Sequence, residues 1–277
     1  MRMDDFSLMK DLFLQRCALT MTLRCNLKCR HCITYSPYYE SPPHYELNTL
    51  MRGIDEFFAI VVKVGNFVIS GGEPLLQKAL PEVVEYLKNY DDRITKIEII
   101  TNGAVLPSKN LLVACTDNQK VVFLVDDYGE KLSVKVHEVD QLLTQHNIKH
   151  SVRKYHGEDA HCGGWVDFAD LELKYPSDEA REDRFSKCAQ IQKFNSCFPF
   201  PIVGGKLFPC PALRRCVELG KVPELKNEVL NLFDDSLPLE YKRNWFDELR
   251  KIRSLSACAY CYGMCDDSPR VTPAEQL

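Results

Sequence analysis

Three cysteines fall within eight residues, Cys25, Cys29 and Cys32 in the stretch "CNLKCRHC", and the next one along the chain is the distant Cys115. Thiolates at this spacing suit zinc or an iron-sulfur cluster. A closed structural zinc site takes four ligands, and His31, wedged between Arg30 and Cys32, is badly placed to be the fourth. Three thiolates on one short loop leave open which metal group they hold and what fills the remaining position. A second group, Cys188, Cys197, Cys210, Cys216, Cys258, Cys261 and Cys265, fills the last third of the chain. The total of 13 cysteines is odd, and "MRMDDFSLMKDLFLQRCALT" has scattered charges where a secretory signal needs a continuous apolar run. A disulfide framework is therefore not expected, and two sulfur-rich sites are. The net charge of -4 leaves no footprint for nucleic acid or an anionic membrane. No stretch approaches 18 apolar residues. A cytoplasmic protein with neither a nucleic-acid nor a membrane partner is expected.

The elements that must position these residues follow from hydrophobic periodicity. A buried strand over 16–23 runs into the cysteine loop, and the following "NTLMRGIDEFFAIVVKV" puts Leu50, Ile54, Phe57 and Val61 on one helical face. The unit recurs, with strands at 66–70, 96–100, 121–125 and 150–156 and helices between them around "LPEVVEYLKN", "KNLLVACTD" and "VHEVDQLLTQH". Short apolar strands alternating with helices predict an α/β fold, a parallel sheet wound as a partial (β/α)6 TIM-like barrel. The unusual residues then collect on one rim: the cysteines after the first strand, Gly71, Gly72, Glu73 and Pro74 after the second, Thr101 and Asn102 after the third, and Asp126, Asp127 and Tyr128 after the fourth.

Cys-x3-Cys-x2-Cys followed by Gly-Gly-Glu-Pro in this register resembles the radical S-adenosylmethionine (radical SAM) superfamily over about residues 15–160. The resemblance implies that Cys25, Cys29 and Cys32 hold three irons of a four-iron four-sulfur cluster, with S-adenosylmethionine on the fourth. It further implies that Gly71, Gly72, Glu73 and Pro74 bind the methionine end of that cosubstrate, and that Thr101, Asn102 and Asp126 reach its ribose or carboxylate. His31 stands where the family usually has an aromatic residue. A flavodoxin or ferredoxin type electron donor is the expected protein partner.

The last third resembles the SPASM and twitch auxiliary-cluster domains of the same superfamily, with Cys197, Gly205-x4-Cys210 and "CAYC" from Cys258 to Cys261. This implies a barrel over 1–180 and a small cysteine-rich domain over 181–277 holding one auxiliary four-iron cluster on Cys197, Cys210, Cys258 and Cys261. Cys188 is the alternative ligand, and a zinc ribbon is the alternative metal site. Gly204 and Gly205 predict a two-residue hairpin in which Val203 lies opposite Lys206 and Cys210 opposite Pro199. Only 24 residues precede Cys25, so no leader-binding domain is expected there. The compact form resembles members that act on aminocyclitols and carbohydrates. A small polar substrate follows, a sugar or sugar-derived unit, met by Asp127, Tyr128, Arg153 and Trp165. The outcome is epimerisation, with Cys216 or Cys265 as hydrogen donor, or alcohol oxidation. A peptide or protein modifier with a separate leader-binding partner is the alternative, and a non-enzymatic metal-binding scaffold is the third reading.

Overall fold

A computed structural model describes residues 12–192 and 200–277. Five strands, β1 (Phe13–Thr20), β2 (Lys63–Ser70), β3 (Ile94–Thr101), β4 (Val121–Asp127) and β5 (Lys149–Lys154), alternate with α1 (Leu47–Ile60), α2 (Leu80–Tyr86), α3 (Lys109–Thr116) and α4 (Val136–Gln145). They pair in parallel and in chain order. Beyond β5 come the short β6 (Trp165–Val166), α5 (Asp178–Lys187) and α6 (Ala189–Gln192), then β7 (Phe200–Val203), β8 (Lys206–Leu207), α7 (Pro211–Glu218), β9 (Leu230–Asn231), α8 (Leu239–Lys251) and β10 (Arg270–Val271).

The expected α/β partial barrel is present, and its sixth parallel strand has an unexpected address. The main sheet runs β5-β4-β3-β2-β1-β7-β8-β9. β7 pairs in parallel with the free flank of β1, Ala18 opposite Pro201 and Leu19 opposite Ile202. The hairpin of the last third thus continues the same sheet. β10 and β6 form a separate antiparallel pair.

Side chains alternate across each strand, and the two faces differ. Cys17, Leu19, Phe67, Ile69, Ile97, Ile99, Phe123 and Val125 are buried in one cluster with Leu50, Ile54 and Phe57 of α1. Burying each large apolar side chain contributes about 1.5–3 kcal/mol. The opposite face carries a polar set: Glu98 accepts from Asn66 Nδ2 at 3.0 Å and from Lys96 Nζ at 2.6 Å, and pairs with Arg16.

Several boundaries differ from the sequence expectation. The first strand stops at Thr20 because the chain then leaves β2: Met21 N still donates to Ser70 O at 2.9 Å, but Leu23 N turns to Pro43 O at 2.7 Å. The first helix ends at Ile60, where Val61 turns extended (φ -102°, ψ 124°). Asp126 and Asp127 close β4 itself, and the fifth strand spans 149–154. The glycine hairpin forms as predicted, with Val203 opposite Lys206 and both glycines at positive φ, +56° and +81°. Cys210 caps α7, its Sγ accepting from Leu213 N at 3.4 Å. Cys197 and Pro199, which were to complete that ladder, lie outside the described residues. Among the described residues no helix is long and apolar enough to cross a membrane.

Candidate active site

The cysteine loop and the glycine loop are zipped together by backbone. Gly72 N donates to Thr22 O at 2.7 Å and Glu73 N to Arg24 O at 2.9 Å. A Cβ on Gly71 would stand 2.2 Å from Thr22 O, and one on Gly72 2.2 Å from Arg24 O. The two glycines are therefore required by the close approach of the loops. Glu73 is fully buried, and its carboxylate accepts from Leu75 N (3.0 Å), Thr101 Oγ1 (2.9 Å) and Asn102 N (2.9 Å). Burial pushes it up to about 7. Thr101 and the Asn102 amide thus orient Glu73, while Asn102 Nδ2 reaches Asn26 Oδ1 at 2.9 Å and Cys25 Sγ at 3.7 Å.

The thiols have their own donors. Leu27 N approaches Cys25 Sγ at 3.4 Å, and Cys32 Sγ lies 3.1 Å from Thr34 Oγ1. Residues 275–277, for which the sequence offered no signal, lie along the loop: Gln276 Nε2 donates to Cys29 Sγ at 3.4 Å, Arg30 N to Glu275 O at 2.7 Å, and Leu277 N to Lys28 O at 2.9 Å. His31 is buried, with Nδ1 2.8 Å from Asp167 Oδ1 and Nε2 3.6 Å from Glu275 Oε2. Burial pushes the Cys25 thiol up to about 12 and the Cys29 thiol up to about 11.

The neighbouring rim carries a polar pair walled by aromatic rings. Arg153 Nε donates to the buried Asp126 Oδ1 at 2.7 Å, and Tyr128 Oη reaches Oδ2 at 3.4 Å. Burial raises the Asp126 carboxyl against the pull of Arg153. The Tyr128 ring lies 5.4 Å from both Tyr155 and Trp165, and Tyr155 lies 5.3 Å from His161. Tyr128, Arg153 and Trp165, singled out from the sequence, do come together. Tyr155 and His161 were missed, although Tyr155 directly follows the β5 exit. Asp127 stands at the edge, accepting from Gly129 N at 2.8 Å with His156 Nε2 at 3.2 Å.

In the last third, Cys188, Cys210, Cys258 and Cys261 line one apolar cavity with Phe168 and Met264. Backbone amides point at three of the sulfurs: Met264 N at Cys188 (3.3 Å), Leu213 N at Cys210 (3.4 Å) and Gly263 N at Cys261 (3.3 Å). Burial pushes Cys258 and Cys261 up to about 12 and Cys210 well up. Cys216 and Cys265 are also buried, at 0 % and 1 % exposure, and the Cys265 S–H faces Arg184 O at 3.6 Å. Among the described residues no three Cys, His, Asp or Glu side chains converge on a single-ion site.

Residues 19–159 match the Radical SAM superfamily, just over half of the chain. The chain belongs to that superfamily. Its signature triplet and glycine loop are the two segments found zipped together. A probable GTP 3′,8-cyclase of Methanococcus maripaludis is 40 % identical over 93 residues, 32 % of this chain and 28 % of that relative. The GTP 3′,8-cyclase of Aquifex aeolicus is 27 % identical over 136 residues, 48 % of this chain and 38 % of the relative. This radical SAM chain therefore matches well under half the length of those curated relatives. Two solved structures share the fold across nearly the whole chain. BtrN in complex with AdoMet and 2-DOIA has a TM-score of 0.56 at 16 % identity, covering 94 % of this chain and 97 % of that one. Native anSMEcpe with bound AdoMet has a TM-score of 0.53 at 14 % identity, covering 95 % and 93 %.

A four-iron four-sulfur cluster and S-adenosylmethionine are the cofactors of this superfamily, and the residues present fit them. Three thiols share one loop, each beside a hydrogen-bonding neighbour. Cys25 and Cys29 are neutral thiols on their own, and a cationic iron is what draws such groups into thiolates. Glu73, buried behind the glycine turn, ties that turn to the exit of the third strand through Thr101 and the Asn102 amide.

Proposed function

We propose that this radical SAM enzyme oxidises an alcohol carbon of a small polar molecule, a sugar or sugar-derived unit, with an auxiliary four-iron cluster taking up the second electron. The observation that carries the reading is the Arg153–Asp126 pair walled by Tyr128, Tyr155 and Trp165 on the rim beside the cysteine loop. Rings of this kind bury the C–H faces of a sugar, and Asp126 fixes the Arg153 guanidinium so that its remaining N–H groups can meet hydroxyls. When bound, the first cluster and S-adenosylmethionine together supply the 5′-deoxyadenosyl radical that takes a hydrogen atom from the substrate carbon. The hydroxyl proton goes to Asp127, held by Gly129 N and next to His156. A cluster held by the cysteines of the second site would be the acceptor for the remaining electron.

Cys188, Cys210, Cys258 and Cys261 are the proposed holders of that auxiliary cluster, Cys188 in the place first given to Cys197. Amide-to-sulfur bonds on three of them suit cluster ligation, since such bonds tune the potential. Of the two outcomes expected from the sequence, oxidation is preferred to epimerisation because a donor thiol must reach the substrate carbon, and Cys216 and Cys265 are enclosed in the last third. A flavodoxin or ferredoxin type reductant in a cytoplasmic setting completes the proposal.

The test is anaerobic reconstitution followed by turnover in deuterium oxide with a panel of aminocyclitols and sugars. About eight irons per chain, four for each cluster, and a carbonyl product without solvent deuterium are expected, with faster release of 5′-deoxyadenosine. Deuterium on an inverted carbon would restore epimerisation, and acceleration by a precursor peptide alone would restore the peptide-modifying reading.

A further inference from the structure

Residues 275–277 pair with the first cysteine loop much as an added strand would. Cys29 and Gln276 form an antiparallel bridge, Arg30 N donates to Glu275 O at 2.7 Å, and Leu277 N donates to Lys28 O at 2.9 Å. Upstream, β10 is held by β6, with Val271 opposite Trp165. Between these two anchors Ala274 is buried at φ +55°, left-handed geometry in a non-glycine residue. Such a conformation persists only where its surroundings enforce it.

The Gln276 side chain is locked at both ends. Its Oε1 accepts from Lys28 N at 2.8 Å, while Nε2 donates to Ala274 O at 2.7 Å and to Cys29 Sγ at 3.4 Å. A carboxamide has an acceptor end and a donor end, and the two backbone partners decide which is which. Turned over, it would set its oxygen against the Ala274 carbonyl and an N–H against the Lys28 N–H. An N–H therefore faces the sulfur of Cys29, a residue at 6 % exposure. Backbone bonds already clasp the segment to the loop, and the N–H aimed at sulfur is the contact that the clasp does not explain.

We infer that Gln276 is a positioning residue for the first cluster: its Nε2–H donates to the Cys29 sulfur when that sulfur is an iron ligand, and so makes the cluster easier to reduce. The ligand sulfurs carry more negative charge in the reduced cluster than in the oxidised one, so a donor stabilises the reduced state more. Hydrogen bonds to sulfur are among the levers that set cluster potentials, and partners that orient a ligand from behind matter to a metal site nearly as much as the ligand itself. Nothing in this role depends on the substrate or on the second site.

The test begins with Gln276→Met, reconstituted with iron and sulfide beside the parent and titrated with the first cluster followed by electron paramagnetic resonance. The first-cluster signal is the one missing when Cys25, Cys29 and Cys32 are all replaced by Ala. Full iron and a first-cluster potential shifted to a more negative value are expected; full iron with an unshifted potential would overturn the inference and leave the backbone clasp as the whole role of the segment. Gln276→Glu keeps an oxygen for Lys28 N and lacks the donor, so its potential must also fall below that of the parent. A value equal to the parent's would show that the Met variant acted through Lys28, and the donor role would be wrong. A third measurement needs no variant to fold or to keep its iron. In the parent, with glutamine carrying the heavy nitrogen isotope in its side chain, pulsed electron paramagnetic resonance of the reduced first cluster should detect coupling to that nitrogen, and its absence would overturn the inference whatever the variants do.

Discussion

Glu73 is a carboxyl group with three donors and no exposure, and its titration is a stability statement. Its folded value of about 7 lies above the ordinary 4.5, so across that interval the native state holds a proton that the unfolded chain has released. Stability falls as pH rises through that window, by about 3 kcal/mol at most. Urea midpoints of the apoprotein should decline from pH 5 to pH 8, and those of Glu73→Gln should decline less. Parallel profiles would show that burial of this group is not costly. Gln276 offers a second residue-scale test. Replacing it with Met keeps its volume and removes both the donor to Cys29 Sγ and the Oε1 that accepts from Lys28 N at 2.8 Å. Amide hydrogen exchange across residues 25–32 should quicken, and unchanged exchange would mean that the backbone contacts of 275–277 hold the loop alone.

The glycine loop shows how an element can be tested through one atom. Gly72 does not occupy the left-handed region, so Gly72→Ala changes little but the space between loops, where the added methyl meets Arg24 O at 2.2 Å. The loops must separate, and iron retention should fall by about half, the half belonging to the first cluster, while the second site keeps its own. This pairing of loops was legible in the sequence because the motifs lie at successive strand exits and strands announce themselves by local periodicity. The Gly204–Gly205 hairpin was legible for the same reason, its turn chemistry being contained in two residues. Long-range contacts carry no such local signal. His31 against Asp167, Gln276 against Cys29, and β7 beside β1 join residues far apart in the chain, and no pattern near any of them specifies the partner. The cavity of Cys188, Cys210, Cys258 and Cys261 was half legible: spacing flagged the cysteines, and folding chose among them.

At the scale of the whole molecule, β1 has β2 on one side and β7 on the other, so the halves on either side of residue 180 share a sheet. A chain cut at 180 would bare the flank of β1 at Ala18 and Leu19, an apolar edge that invites association with other chains. The 1–180 fragment should aggregate on expression, and the whole chain should unfold in one transition by circular dichroism. A soluble monomeric fragment would show that β7 is dispensable. The same pairing bears on synthesis. Cys17 Sγ meets Phe200 O at 3.5 Å across 183 residues of chain, and a ribosome adding roughly 5–20 residues per second takes about 10–40 s to traverse them. For that interval the nascent chain already presents its metal-binding loop while the strand that feeds it lacks a neighbour. Chaperone occupancy of translating ribosomes should therefore rise after β1 emerges and fall once β7 has cleared the exit tunnel.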